Sequence, residues 1–206
     1  MESNLIDFFP DFEHFSYKIA NTPEGSQLKA WSRLKECERR LEMYSFFQKL
    51  SDPSRAQHRI ILNDSISAFL LTFESTVQFL RDEIFPFKHY GFGNWLGSIP
   101  AYDHIFRGLR TLRHFEAHIE HLDIPSTINL RLGGPDHSVS RIWRLPSLKS
   151  SDLKKLRSSP LKEEHLNDWN RAVAQSDVAT IFSEGLSRLF AVLQAGEKRS
   201  RLSFSP

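Results

Sequence analysis

The spacing of apolar residues along the chain predicts a mostly helical protein. In residues 26–50 the apolar side chains recur three and four positions apart with charged residues between them, and they include Leu28, Trp31, Leu34, Leu41 and Tyr44. This period places them on one face of an amphipathic helix. The Ser-Asp-Pro-Ser break at 51–54 ends that helix and permits a second one over 56–85. Its run ISAFLLTFESTVQFL is apolar on more than one side, which indicates a helix at the centre of a bundle or in a dimer.

The middle of the chain mixes loop, helix and a short β element. Residues 85–100 hold two prolines and three glycines and are expected to form a structured loop. A third helix is predicted over 101–122, where Asp-Ile-Pro-Ser follows. Alternating apolar and polar residues on both sides of Gly-Gly-Pro-Asp predict a β-hairpin at about 126–146.

Two short helical pieces precede the last predicted element. That element is an amphipathic helix over 176–194, with Ser176 or Asp177 as its N-cap. The basic end, 197–206, is expected to be a flexible tail. We therefore expect one domain over 1–196, of the mostly α class: a helical bundle of four or more helices with a small β-hairpin insert.

Composition narrows the class of protein. The chain has 206 residues, of which 40% are apolar, enough for a sizeable core in one domain. A net charge of +2 is too small to indicate nucleic acid by itself, so an anionic partner must meet a local basic patch. The single cysteine, Cys37, excludes an intrachain disulfide and a Cys-x-x-Cys zinc knuckle. Neither a signal peptide nor a membrane span is expected, so we expect a soluble, cytoplasmic protein.

The candidate chemistry lies on the third helix. At about 100° per residue, one stripe of this helix is apolar and faces the bundle; it consists of Ile105, Leu109, Leu112, Phe115, Ile119 and Leu122. The opposite sector carries five basic or near-basic side chains, namely Arg107, Arg110, His114, His118 and His121. Arg113 lies on the flank of that sector. Such a concentration of basic groups is unfavourable unless something neutralises them.

Three interpretations of this basic face are open from the residues alone. It can be an ordinary solvated surface with neutral histidines. It can bind a metal ion through His114 and His118, four positions apart, with His121 as a third ligand, although such a row spreads its outer members about 10 Å along the axis. It can also act on RNA without a metal. A histidine would then move the proton of the 2′-hydroxyl or of the leaving 5′-oxygen, while an arginine stabilises the charged phosphate.

The hexapeptide RHFEAH (113–118) resembles the signature of the HEPN domains (higher eukaryotes and prokaryotes nucleotide-binding). In that signature an arginine precedes a polar residue, three further residues and a histidine. The apolar run 66–80 is similar to the second helix of many HEPN-like proteins, and the resemblance covers about 26–122. There are two departures: His114 stands where asparagine is usual, and the stretch that begins at Arg107 and ends at His114 also fits the motif with a looser spacing.

The resemblance implies a homodimer in which two motif helices form one composite Arg/His cleft. It implies a metal-independent endoribonuclease of the toxin or anti-phage defence type, with RNA as substrate, no cofactor, and an antitoxin or defence-system protein as a further partner. Arg113 would stabilise the scissile phosphate, His118 would be the general acid or base, and His114 would orient the phosphate or His118. The expected products are a 2′,3′-cyclic phosphate and a 5′-hydroxyl. A catalytically inactive HEPN-like binding or scaffold module is the alternative.

Two further expectations come from the residues themselves. The helical wheel adds Arg110, Arg107 and His121 as substrate contacts. Glu74, within the apolar second helix, is interpreted as one half of an interhelical salt bridge or as a polar residue at the edge of the helix interface. The alternative is a buried acid that faces the cleft and tunes His118 or Arg113. A dimer is also expected independently of the resemblance, because the second helix is too apolar to be covered easily by a four-helix bundle of one chain.

Overall fold

A computed structural model of the chain describes residues 26, 28–50, 56–86, 90–118, 126–130 and 139–203. The helices are α1 (Ala30–Leu50), α2 (Ala56–Ile84), α3 (Tyr90–Gly97), α4 (His104–His118), α5 (Ser150–Lys155), α6 (Leu166–Gln175) and α7 (Val178–Ser203). A 3₁₀ turn at Glu163–His165 leads into α6. The described part of the chain is therefore mostly helical, as the sequence predicts.

Two short strands lie between α4 and α5. Strand β1 (Ser126–Leu130) pairs antiparallel with β2 (Val139–Trp143), with Ser126 opposite Trp143 and Leu130 opposite Val139. The residues that connect them, 131–138, lie outside the described residues. Trp143 is buried, so β2 ends against the helical core.

Helix α2 is the centre of the bundle and packs against α1, α4 and α7. Its buried apolar side chains are Leu62, Ile66, Phe69, Leu70, Phe73, Val77 and Leu80. Each contributes on the order of 1.5–3 kcal/mol by leaving water. This central place explains the apolar run of α2, whose span Gln57–Ile84 is by length and composition alone apolar enough to cross a membrane.

The covering of α2 by the other helices bears on the expected dimer. Among the described residues, the large apolar side chains that remain exposed are Ile60 and Leu71. One chain therefore covers most of α2, because α1, α4 and α7 surround it. Both of these exposed side chains lie on α2, so the helix keeps some uncovered apolar surface within one chain, and the dimer stays a prediction.

Close helix contacts hold α4 in place. A Cβ built on Gly108 would lie 2.0 Å from Cε3 of Trp169 on α6, and one built on Gly185 of α7 would lie 2.3 Å from Cδ1 of Leu109. Both distances are far inside van der Waals contact, so only glycine permits these approaches. Helix α4 thus packs closely against α6 at Gly108 and against α7 at Gly185, and these two close contacts are named here the glycine notches.

Two element boundaries differ from the sequence prediction. Residues 90–97 form helix α3 rather than a loop, because Phe92 and Leu96, four positions apart, are buried on one side of it. Helix α7 runs on to Ser203, into the segment for which the sequence predicts a flexible tail. Its last turns carry the guanidinium of Arg199 over the ring of Phe85, 4.3 Å from the centroid.

Candidate functional site

The apolar side of α4 is largely as predicted. Ile105, Leu109 and Leu112 are buried, and Phe115 is half-buried. Ile119 and Leu122 lie outside the described residues. Phe106 and Thr111 are buried as well, so the buried face is wider than the predicted stripe. The cause is that α6 and the loop before it pack on this flank, where Thr111 Oγ1 accepts a hydrogen bond from the Leu161 amide at 2.9 Å.

Three of the predicted site residues, Arg107, Arg110 and His114, line one cleft of about 560 Å³. Helix α3 forms the opposite wall, and residues 158–162 form one edge, where Lys162 adds a further cation. Volumes of this order are typical of sites for small ligands or for one or two nucleotide units. The cleft is therefore a cationic, open depression on the polar side of α4.

Glu74 of α2 lies behind the cleft and pairs with two of its residues. Arg110 donates from Nε to Glu74 Oε2 at 2.6 Å and from Nη2 to Oε1 at 2.8 Å. His114 Nε2 lies 3.6 Å from Oε1, at ion-pair distance, and Gln78 donates to the same oxygen at 2.6 Å. The predicted interhelical salt bridge of Glu74 is confirmed. The carboxylate also meets a cleft histidine, although that histidine is His114 rather than His118.

The environment of Glu74 keeps it ionised. Burial alone raises the pKa of its carboxyl, but the hydrogen bonds and charge of Arg110, with His114 and Gln78, outweigh burial and lower the pKa to about 2. Burial likewise lowers the pKa of the Arg110 guanidinium, but Glu74 raises it above its usual range. The pair is therefore fully charged at neutral pH.

The guanidinium of Arg110 directs its hydrogen-bond donors to partners within the protein. Its side chain is 12% exposed, and its remaining terminal nitrogen, Nη1, donates to the hydroxyl of Tyr102 at 3.4 Å. The guanidinium thus ties α4 to α2 and forms part of the cleft wall. It presents little surface to a substrate, and the substrate contact predicted for it stays a prediction.

Arg107 keeps its charge available. Its guanidinium stacks on the Tyr102 ring at 4.1 Å, donates from Nε to the Tyr102 carbonyl at 2.9 Å and from Nη1 to the Pro160 carbonyl at 3.3 Å. Carbonyl and aromatic partners hold the group in position without cancelling its charge. Within the described ranges no carboxylate pairs with Arg107 or with Lys162. These two side chains therefore carry the positive charge of the cleft.

The other predicted site residues lie elsewhere. Arg113 is not part of the cleft lining; its Nη1 is 3.7 Å from Oε2 of Glu116, whose other oxygen accepts a hydrogen bond from the Ser67 hydroxyl of α2. His118 is the last residue of α4, and its side chain lies outside the described residues, as does His121. The approach of Arg113 to His118 stays a prediction.

The metal interpretation depends on the same two histidines. In the part of the chain that the structure describes, no group of three or more His, Cys, Asp or Glu side chains is placed to hold a metal ion. The predicted ligands His118 and His121 contribute no described side chain, so this alternative also stays open.

The α3 wall of the cleft is bare. A Cβ built on Gly93 or on Gly97 meets nothing within 4 Å, unlike one built on Gly108. Packing therefore does not require these two glycines, although each costs roughly 0.5–1 kcal/mol relative to alanine inside a helix. Their effect is to leave the cleft wide on the side where Asn94 is exposed.

Comparison with known proteins adds no relative. No protein-family model, no curated protein and no solved structure matches the chain. The likeness to HEPN domains thus rests on the motif residues and the order of the helices.

Several cleft residues carry no local signal in the sequence. Ser158 and Lys162 reach the cleft from a loop about 50 residues beyond Arg107, and the glycines of α3 read as loop residues. Tyr102 is the exception only in that it lies five positions before Arg107, so nearness along the chain was the one local signal for their stacking. The remaining contacts are set by tertiary packing.

Proposed function

We propose that this chain is a metal-independent endoribonuclease of the HEPN type, with Arg107 and His114 as the reacting pair of the α4 cleft. One observation carries the proposal: an arginine without a carboxylate partner among the described residues shares a cleft with a histidine backed by a buried, ionised glutamate. A fixed cation and a proton-transfer group are what phosphodiester cleavage by the RNA 2′-hydroxyl needs. The pair corresponds to the looser-spaced match to the HEPN motif.

The chemistry follows from the orientation of the imidazole. Since Nε2 of His114 faces Glu74, the other nitrogen, Nδ1, is directed to accept a proton. It takes the proton of the 2′-hydroxyl while the 2′-oxygen forms a bond to phosphorus and the bond to the 5′-oxygen breaks. Glu74 stabilises the resulting imidazolium, as the carboxylate of a catalytic triad does. The products are a 2′,3′-cyclic phosphate and a 5′-hydroxyl.

The phosphate is the group that Arg107 addresses. Its stacking on Tyr102 and its two carbonyl bonds fix the guanidinium before substrate arrives, so little ordering is required in the transition state. Lys162 provides a second positive charge at the edge of the cleft. The 5′-oxygen needs a proton in its turn, and we assign that step to the His114 of a second copy in a homodimer, in line with the composite cleft of HEPN domains.

The test is cleavage of labelled RNA in the presence of EDTA. Wild type is expected to cleave, and His114→Ala and Arg107→Ala are each expected to lose about 100-fold or more of the rate, the scale of one acid–base group. His104→Ala is the matched control, because it removes a histidine of the same helix that does not line the cleft. Its rate should equal that of wild type.

Other outcomes would contradict the assignment in distinct ways. Full activity in His114→Ala with loss in Arg113→Ala and His118→Ala would move the site to the hexapeptide. Activity that EDTA abolishes and a metal restores would support the metal-binding alternative. RNA left intact by folded wild-type protein would refute the enzyme and favour the inactive binding module.

A further inference from the structure

A second basic feature lies beside the cleft and takes no part in the proposed reaction. The stretch 149–162, named here the basic segment, comprises α5 and the loop that follows it. Five of its six charged residues are basic and all five are exposed, namely Lys149, Lys154, Lys155, Arg157 and Lys162. The one acid, Asp152, caps α5 through the Lys149 amide at 2.9 Å and lies 3.5 Å from Lys155 Nζ. The segment therefore keeps a surplus of positive charge.

The basic segment is held in place by its apolar residues. Leu153, Leu156 and Leu161 are buried in the core, so the charged residues between them are turned to solvent. A chain fixed at three buried positions holds the Cα atoms of its basic residues at a stable spacing. Such pre-ordering lowers the entropy cost of binding an extended ligand.

The basic segment runs antiparallel along α4. Lys155 Nζ is 5.7 Å from the ring centroid of Phe115, Ser159 Oγ is 3.3 Å from Thr111 Oγ1, and the Pro160 carbonyl accepts from Arg107. These contacts step down α4 from residue 115 to 107, a distance of about 12 Å. Lys162 and Ser158 line the cleft itself, so the exposed cations continue outward from its edge.

We propose that the basic segment binds the phosphate backbone of single-stranded RNA on one side of the cleft, which makes the substrate an oligonucleotide longer than the cleft can hold. The inference rests on the proposed function for the identity of the polyanion. Exposed cations at fixed spacing bind nucleic acid through phosphates, and their contribution depends on salt rather than on sequence. A duplex is disfavoured because the cleft, at about 560 Å³, admits only one or two nucleotide units.

The experiment measures binding of 2′-O-methyl RNA, which lacks the attacking hydroxyl and so reports affinity alone. Fluorescent oligomers of about 3 and about 12 nucleotides are titrated against wild type and Lys154→Gln/Arg157→Gln over a range of salt concentrations. Each lost phosphate contact lowers the slope of log affinity against log salt by about 0.7, which is about fivefold at 0.1 M salt. The double variant should therefore bind the longer oligomer about 25-fold more weakly and the shorter one unchanged.

The matched control is Arg39→Gln/Arg59→Gln. It removes the same charge from exposed positions on α1 and α2. Neither position lines the cleft or belongs to the basic segment. If the control weakens binding as much as the test variant, or if both oligomers bind with equal affinity, the basic segment has no specific role. Length-dependent binding that fails in the test variant, without cleavage of ordinary RNA, would refute the enzyme and leave this inference standing. Cleavage that depends on His114, with the same RNA affinity in the two double variants, would support the enzyme and refute the role of the basic segment.

Discussion

Replacing Glu74 by glutamine tests how the cleft is built. The amide keeps the shape of the side chain but removes its charge, which leaves the guanidinium of Arg110 buried without its counter-ion. Lowering the pKa of Glu74 from 4.5 to about 2 corresponds to about 3 kcal/mol, at ~1.4 kcal/mol for each factor of ten. Breaking a buried pair by removing one partner costs a similar 3–5 kcal/mol in other proteins. We expect Glu74→Gln to lower the free energy of unfolding by about 3 kcal/mol at pH 7.

The same pair predicts a pH dependence with a definite sign. Because folding lowers the pKa of Glu74, its stabilisation is complete above pH 4.5 and is lost as the pH falls toward 2. The difference between wild type and variant should therefore shrink to about 1 kcal/mol at pH 3. Urea unfolding followed by circular dichroism at pH 7, 5 and 3 measures both quantities.

The control is a carboxylate in a partly exposed pair. Glu184 is 44% exposed and lies 3.2 Å from Nη1 of Arg188, so Glu184→Gln should cost at most about 1 kcal/mol at pH 7. A loss below that level in Glu74→Gln, or a loss that stays constant from pH 7 to pH 3, would refute the assignment of Glu74 as the buried ionised partner of Arg110.

Three further changes test the packing and the shape of the molecule. Gly108→Ala should lower the free energy of unfolding by about 1–3 kcal/mol, because the new methyl meets Trp169, whereas Gly93→Ala should be neutral or slightly stabilising; thermal melts compare the two, and equal melting temperatures would contradict the close approach. The buried thiol of Cys37, whose pKa burial raises to about 12, should react with a thiol reagent at pH 8 only after denaturation, so rapid labelling of native protein would count against its place in the core. Gly97→Leu should fill the cleft and abolish binding of a short RNA without lowering the melting temperature, and unchanged affinity would show that RNA does not use the α3 wall.

Local pattern was enough to predict much of α4. The 3.6-residue period put Ile105, Leu109 and Leu112 in the core, where the structure has them. It also placed Arg107 and His114 on one polar sector, and both line the cleft. Period determines which side of a helix faces the core, so these assignments needed no knowledge of the partners.

The other features of the cleft could not be predicted without knowing which helices and loops contact one another. Arg110 lies at the middle of the polar sector, yet little of its side chain is exposed because Glu74, 36 positions away in sequence, meets it across the helix interface. The α3 helix was missed because its glycines read as loop residues, whereas burial of Phe92 and Leu96 favours the helix. The position of the basic segment beside α4 could not be predicted either, because it depends on tertiary contacts such as that of Leu161 with Thr111. Pairings of this kind depend on which elements meet in the fold, and the local pattern of a single sequence does not reveal that.

The glycine notches at Gly108 and Gly185 have a consequence for how the cleft meets its ligand. A helix that can slide past its neighbours adapts its side chains to whatever arrives, but α4 is registered against α6 and α7 at points where no other side chain fits. Sliding by one turn would drive Trp169 and Leu109 into positions already filled by backbone and Cβ atoms. Arg107 and His114 consequently keep a constant position relative to the elements packed against α4, so a ligand of the cleft must adapt its own shape to them.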